Sequence, residues 1–179
     1  MPRVFSAVEI EDEEVLDRLE EIRNEVDQGF KPVPREKMHI TLEFFKDIDS
    51  QEIQRIKKSM QDTGIEPFTA EIRGLGAFPS RDYIRVIWAG VESGELHELK
   101  EDISGHEVSN SNEEEFRPHI TLHRVENLDS SGKKEIQQKL DKYSGQKIAE
   151  IEVDKVKLFE SVLDDDGSRY RELEVKELG

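Results

Sequence analysis

Arg3 to Ile10 alternates, with Val4, Val8 and Ile10 on one side, and this period of two predicts a strand. Val15, Leu19, Ile22 and Val26 recur at helical spacing and predict an amphipathic helix over 12–28. Gly29, Pro32 and Pro34 break the chain into a loop, after which His39 to Phe45, rich in β-branched and aromatic residues, predicts a second strand. Ser50 is a good N-cap for a helix carrying Ile53, Ile56 and Met60, which Gly64 and Pro67 end. Residues 68–73 and 83–89 read as strands around the turn-rich GLGAFPSRD, followed by a short helix near 94–103 and a polar acidic loop, EVSNSNEEE. His119 to Val125 predicts another strand and 131–143 another helix. The last third reads as long strands, 147–162 and 168–176, joined by DDDG at 164–167. This order is neither all-β nor a strict βαβ alternation. It predicts an α+β protein with antiparallel sheets.

An internal echo runs through the pattern. Residues 39–50 read HITLEFFKDIDS and residues 119–130 read HITLHRVENLDS. His, Ile, Thr and Leu coincide, Ile48 matches Leu128 in kind, and Asp49-Ser50 matches Asp129-Ser130. The copies lie 80 residues apart, close to half the chain, and each runs from a strand through a loop into a helix. Two similar lobes, each donating one strand with His and Thr, are the expectation.

Side chains alternate on a strand, so His39 and Thr41 point one way while Ile40 and Leu42 point the other; His119, Thr121, Ile120 and Leu122 repeat this. Lobes packed about a pseudo-two-fold axis would bring both His-Thr pairs to one cleft. Two imidazoles with ordinary pKa near ~6.5 can then act as general base and general acid. Two threonine hydroxyls can donate to the non-bridging oxygens of a phosphate between them. A repeat kept for folding alone would preserve Ile and Leu but has no need to repeat exposed His and Thr. The pattern therefore favours a metal-free phosphodiester site. By alternation, Glu43 and His123 should share the cleft face while Phe44 and Arg124 face away.

Composition bounds this reading. With 179 residues the chain predicts one bilobal domain over 1–179, and 34% apolar residues suffice for a core. There is no apolar run long enough for a membrane span and no signal-peptide pattern, so a cytoplasmic protein fits best. Zero cysteines exclude disulfides, thiolate catalysis and cysteine-ligated zinc. A net charge of −16 disfavours non-specific capture of nucleic acid but not a local grip on one phosphate, and it suits a salty cytoplasm.

The sequence resembles the two-histidine phosphoesterases, specifically the RNA 2′,3′-cyclic phosphodiesterases first named 2′-5′ RNA ligases (LigT-like). RVFSAVEI, MHITLEFF, GLGAFPS before RVIWAGV, FRPHITLHRV and VKLFESVL…GSRYREL carry the resemblance across nearly the whole chain. It implies a bilobal, pseudo-two-fold duplicated α+β fold, with two antiparallel sheets lining a central cleft and helices outside. It implies hydrolysis of an RNA 2′,3′-cyclic phosphate end, such as that of a tRNA fragment, to a 2′-phosphate without a cofactor. His39 would be the proton donor and His119 the proton acceptor, Thr41 and Thr121 would hold the phosphate, and Arg124 matches a basic position of the second motif, which requires either that the strand bulges there or that the arginine reaches around its end. His123 and the acidic loop at 107–115 depart from the family's usual small or neutral residues.

Other signals carry less. GLG at 74–76 lacks the third glycine of a dinucleotide fingerprint and reads as a turn; DDDG lacks the first acid of a calcium loop; His97-Glu98 lacks the second histidine of a zincin. His97 and His106 read as solvent-exposed. His119 and His123 could offer a metal two imidazoles, but no carboxylate partner is placed by sequence. Phe78 and Trp88 read as core residues rather than stacking platforms, although Phe78, in a loop, could do both. The same site could run in reverse as a 2′-5′ RNA ligase, and a non-catalytic RNA-end-binding module is the alternative from another class. Such a module would be expected to lose a motif residue, and all four remain. A monomer is expected.

Overall fold

The computed structural model describes residues 3–105, 116–165 and 167–179. β1 (Arg3–Glu9) leads into α1 (Glu13–Glu25), whose first turn is capped by Asp12 accepting from the Glu14 and Val15 amides at 3.0 and 3.3 Å. A short β2 (Lys31–Pro32) and a 3-10 turn (Arg35–Lys37) precede β3 (His39–Phe45). α2 (Ser50–Asp62) then returns the chain to the long pair β4 (Phe68–Pro79) and β5 (Ile84–Glu92). α3 (Gly94–Ser104), β6 (His119–Arg124) and α4 (Ser130–Lys142) follow, and β7 (Lys147–Val153), β8 (Lys155–Asp164) and β9 (Gly167–Glu177) complete the chain.

The sheet order is β7-β4-β5-β6-β3-β1-β8-β9, with β2 added beside β6, and every pairing is antiparallel. The centre of this order is a seam: β3 and β6 are paired at Ile40 and Ile120 alone. The two expected sheets are thus two four-stranded halves of one large antiparallel sheet, β7-β4-β5-β6 and β3-β1-β8-β9.

Two helices exchange halves. α1 leaves the β3-β1-β8-β9 half at β1 but packs on β6 and β7, while α3 leaves the β7-β4-β5-β6 half at β5 and packs on β3 and α2. α4 lies on β4 and α2 on β9. Ile40, Leu42, Ile120 and Leu122, two per seam strand, are buried in one continuous core with Leu19 and Ile22 of α1 and Leu96 and Leu99 of α3. The apolar half of each HITL tetrapeptide faces helices from the opposite lobe, which leaves the polar half free to line a cleft.

Several local expectations change. GLGAFPSRD is strand as far as Pro79, because β4 stays paired with β5 through Pro79 and Ile84. Phe78 therefore lies in a strand, not a loop. The α2 N-cap is Asp49 rather than Ser50: its carboxylate accepts from the Glu52 amide at 2.9 Å, and Glu52 returns the bond to the Asp49 amide at 3.0 Å. Asp129 caps α4 in the matching place, accepting from the Gly132 amide at 2.7 Å. The long 147–162 strand is two strands broken at Asp154, whose carbonyl accepts from Leu178 at 2.8 Å. The acidic loop and His106 lie outside the described residues, and no described helix is long and apolar enough to cross a membrane.

Candidate active site

Residues 39–45 and 119–125 share one burial pattern: half-buried, buried, half-buried, buried, buried, exposed, buried. Strict alternation holds from His to Leu and then fails by one position in both copies. In β3, Ser6 of β1 faces Glu43 and Ala7 faces Thr41, so Leu42 is an extra residue; in β6, Ile87 of β5 faces His123 and Trp88 faces Thr121, so Leu122 is extra. These are matched β-bulges, and a bulge re-aims every side chain beyond it.

The bulges reverse the expectation for the next two positions. Glu43 and His123 are buried on the helix side, 5% and 0% exposed, and do not reach the cleft. Glu43 pairs with Lys100 of α3 at 3.0 Å, and His123 donates from Nε2 to the Arg23 carbonyl of α1 at 2.6 Å. Phe44 and Arg124 are turned out onto the His-Thr face instead. His119 and His123 stand on opposite faces of β6 and cannot share a metal ion, so that alternative is set aside.

Around the seam the four polar side chains converge. With Ile40 opposite Ile120, the antiparallel register sets His39 toward Thr121 and Thr41 toward His119. Each imidazole is fixed in the same way. His39 donates from Nδ1 to the Lys37 carbonyl and His119 donates from Nδ1 to the Arg117 carbonyl, both at 2.7 Å. Both neutral rings therefore present a bare Nε2, and that of His39 meets the Thr41 hydroxyl at 3.0 Å. Burial lowers the pKa of His39 most; the Lys37 carbonyl works against this, and the charges of His119 and Arg124 lower it further. Burial also lowers His119, opposed by the Arg117 carbonyl. The effect of His119 and Arg124 on His39 places all three groups within one electrostatic neighbourhood.

The walls differ between the halves. Phe5 and Tyr170 close around His39, with ring centroids 5.5 and 5.7 Å away, and Phe159 backs Phe5 at 5.4 Å. The Lys37 ammonium binds the Ser168 carbonyl at 2.5 Å and thus holds the β9 end beside His39. Around His119 stand Phe78 and Trp88, at 4.9 and 5.8 Å. These two are not core residues, as the sequence suggested, but half-buried cleft walls. A Cβ on Gly76 would meet the Trp88 ring at 2.3 Å, so the indole lies across a position only glycine can occupy. Beside His39 the neighbouring strand offers Glu9, ion-paired to Lys157 at 3.2 Å; beside His119 it offers Gly90.

Sequence reading found His39, Thr41, His119, Thr121 and Arg124, and the fold brings all five to one face. It did not name Phe5, Tyr170 or Lys37, and it assigned Trp88 to the core. Tyr170 is 131 residues from His39, and the sheet brings them together across β1 and β8, which lie between β3 and β9. A retrievable signal existed for Trp88, since small residues recur opposite it in GLGAF. His97 is exposed and packs its ring 5.0 Å from Phe116, away from the histidine pair.

Comparison with known proteins agrees with this duplicated arrangement. A family model described as LigT like Phosphoesterase matches the chain twice, over residues 8–88 and 91–170, once for each HITL copy. The RNA 2′,3′-cyclic phosphodiesterase of Methanocaldococcus jannaschii is 32% identical over 174 residues, covering 94% of this chain and 96% of its own. The protein of the same name from Archaeoglobus fulgidus is 31% identical over 180 residues, covering 98% and 99%. Among solved structures, TT0787 of Thermus thermophilus superposes with a TM-score of 0.82 at 28% identity, over 98% of this chain and 97% of that one. Apo E. coli LigT shares the fold, with a TM-score of 0.77 at 21% identity over 99% and 98%. A double match spanning both repeats, with relatives aligned nearly end to end, establishes that the chain belongs to the LigT-like phosphoesterase family.

Proposed function

We propose that the chain is an RNA 2′,3′-cyclic phosphodiesterase, hydrolysing a cyclic phosphate end to a 2′-phosphomonoester without a metal ion. The observation that carries this reading is the convergence of two His-Thr pairs, from strands joined at Ile40–Ile120, on one face. Relatives at 31–32% identity bear the name of that activity.

His119, neutral and with Nε2 bare, takes a proton from water as the water oxygen attacks phosphorus. The P–O3′ bond breaks, and His39 delivers its Nε2 proton to the departing 3′ oxygen, leaving a free 3′-hydroxyl. The Thr41 and Thr121 hydroxyls donate to the non-bridging oxygens as their charge grows, and the Arg124 guanidinium holds the anionic phosphate in ground and transition state alike. Each proton transfer contributes on the order of 10²–10⁴ in rate. The two locked Nδ1–H bonds supply what an acid–base pair requires, one fixed nitrogen per ring aimed at the substrate.

The roles differ because the surroundings differ. Burial lowers the pKa of His39 most, and a bound anionic phosphate offsets the smaller lowering that Arg124 adds. The donor is thereby protonated in concert with substrate binding. The test is turnover of a nucleoside 2′,3′-cyclic phosphate in excess EDTA, with the product identified by phosphorus NMR. Undiminished turnover giving a single 2′-phosphate is expected. Loss of activity restored by zinc or manganese would overturn the metal-free mechanism, and a 3′-phosphate would overturn the donor–acceptor assignment.

A further inference from the structure

Arg124 reaches the cleft only because β6 bulges at Leu122, and the residue that anchors the bulge is His123. We propose that His123 is a positioning residue that holds Arg124 toward the phosphate; this rests on the functional reading above. Nothing in the reaction itself uses His123. Its ring is fully buried, edge-on to Phe30 at 5.6 Å, and on the face of β6 away from the cleft.

The anchoring is a closed circuit of hydrogen bonds between α1, β2 and β6. The His123 Nε2–H donates to the Arg23 carbonyl at 2.6 Å. The guanidinium of the same Arg23 donates from Nη1 to the Val33 carbonyl at 2.6 Å, and the Val33 amide donates to the Leu122 carbonyl at 2.9 Å. Pro32 and Lys31 of β2 lie opposite His123 and Arg124 and close the strand edge over the bulge. The circuit begins and ends on the bulge, at His123 and at Leu122. Because consecutive residues Leu122 and His123 both point inward, Arg124 must point out.

His123 carries this circuit as a neutral ring. The carbonyl bond requires hydrogen on Nε2, Nδ1 has no hydrogen-bond partner among the described residues, and burial lowers the pKa. The opposite repeat solves the same problem differently. Glu43 of β3 is buried at the equivalent position and reaches α3 through Lys100 at 3.0 Å, with Phe44 turned out beyond it. Each bulge is thus pinned by a buried polar side chain to the helix that crosses over from the other lobe. One pin presents a cation to the cleft and the other an aromatic ring.

Steady-state kinetics on a nucleoside 2′,3′-cyclic phosphate test the role with four single variants and one double. His123→Leu keeps an apolar fill but removes the donor, and should raise KM about tenfold while kcat changes less than about threefold. His123→Gln retains a donor that reaches toward the Arg23 carbonyl and should recover most of the loss. Arg124→Ala should raise KM at least as much, and adding His123→Leu to it should cost nothing further, since one lost interaction cannot be lost twice. Arg23→Met loosens the Val33 link from outside the strand, leaves His123 in place, and should raise KM in the same direction if His123→Leu folds poorly. The fluorescence of Trp88, the sole tryptophan, on the other half of the site, should be unchanged in all five. Wild-type KM in both His123→Leu and Arg23→Met, beside an impaired Arg124→Ala, would overturn the positioning role alone. Losses that multiply in the double variant would do the same. An unimpaired Arg124→Ala, or wild-type protein without turnover, would overturn the functional reading and this inference with it.

Discussion

Each imidazole of the facing pair commits one nitrogen to a backbone carbonyl two residues upstream, and this shapes its chemistry. Because Nδ1–H is held in both rings, proton exchange takes place only at Nε2. Both pKa values are lowered, chiefly by burial. In the proposed acceptor role His119 must be neutral, so kcat/KM falls as pH drops through its depressed pKa. In the proposed donor role His39 must carry a proton, so kcat/KM falls as pH rises through its own. Both limbs of the bell therefore lie at the acid side of the ordinary imidazole value of ~6.5, and so does its maximum. In kcat the alkaline limb should move to higher pH, because the bound phosphate offsets Arg124 beside His39. A kcat/KM optimum above about pH 7.5 would contradict the burial argument. Trp88 provides an independent reading, its ring 5.8 Å from His119. Its emission should titrate below the ordinary imidazole range in the free enzyme, and His119→Ala should abolish that titration. Thr41→Ala and Thr121→Ala each remove one donor to the phosphate and should lower kcat/KM about tenfold, less than either histidine substitution.

Among the elements, two matched bulges decide what the cleft contains. One inserted residue in each strand moves Glu43 and His123 to the core and brings Phe44 and Arg124 to the site. The repeat itself was legible in the sequence, because exposed His and Thr have no folding reason to recur. The bulge was legible only in part: the motif position of Arg124 called for a bulge or a reach around the strand end, but Leu42 and Leu122 are apolar at positions that alternation already assigns to the core, and nothing local marks the next residue as buried too. The β4 strand was masked for a related reason: Gly74 and Gly76 read as turn residues, whereas Gly76 is there to let the Trp88 ring lie across the strand. Gly76→Ala should therefore displace that ring, shifting Trp88 emission and reducing turnover with little loss of secondary structure. The helix starts were legible to within one residue. Asp129→Ala removes the 2.7 Å bond to the Gly132 amide and should cost about 1 kcal/mol in denaturant unfolding.

At the scale of the molecule, the exchanged helices make the two halves interdependent. α1 and α3 each cross to pack on the other half, so neither HITL strand is buried by its own lobe alone. The net charge of −16 surrounds a site that contains Arg124 and Lys37, and long-range repulsion opposes the approach of RNA. Raising salt from low ionic strength to about 0.5 M should leave KM for a cyclic-phosphate-ended oligonucleotide level or lower it, opposite to a basic RNA binder. A steep rise in KM would contradict that electrostatic picture. The central claim is that the duplication exists to set two histidines on one phosphate. A double-variant cycle on a nucleoside 2′,3′-cyclic phosphate tests this most directly. His39→Ala and His119→Ala should each remove most turnover, on the order of 10²–10⁴, and the double variant should fall little further, because acid and base serve one transition state. Losses that multiply would contradict the account, showing that the two repeats do not act on the same phosphate.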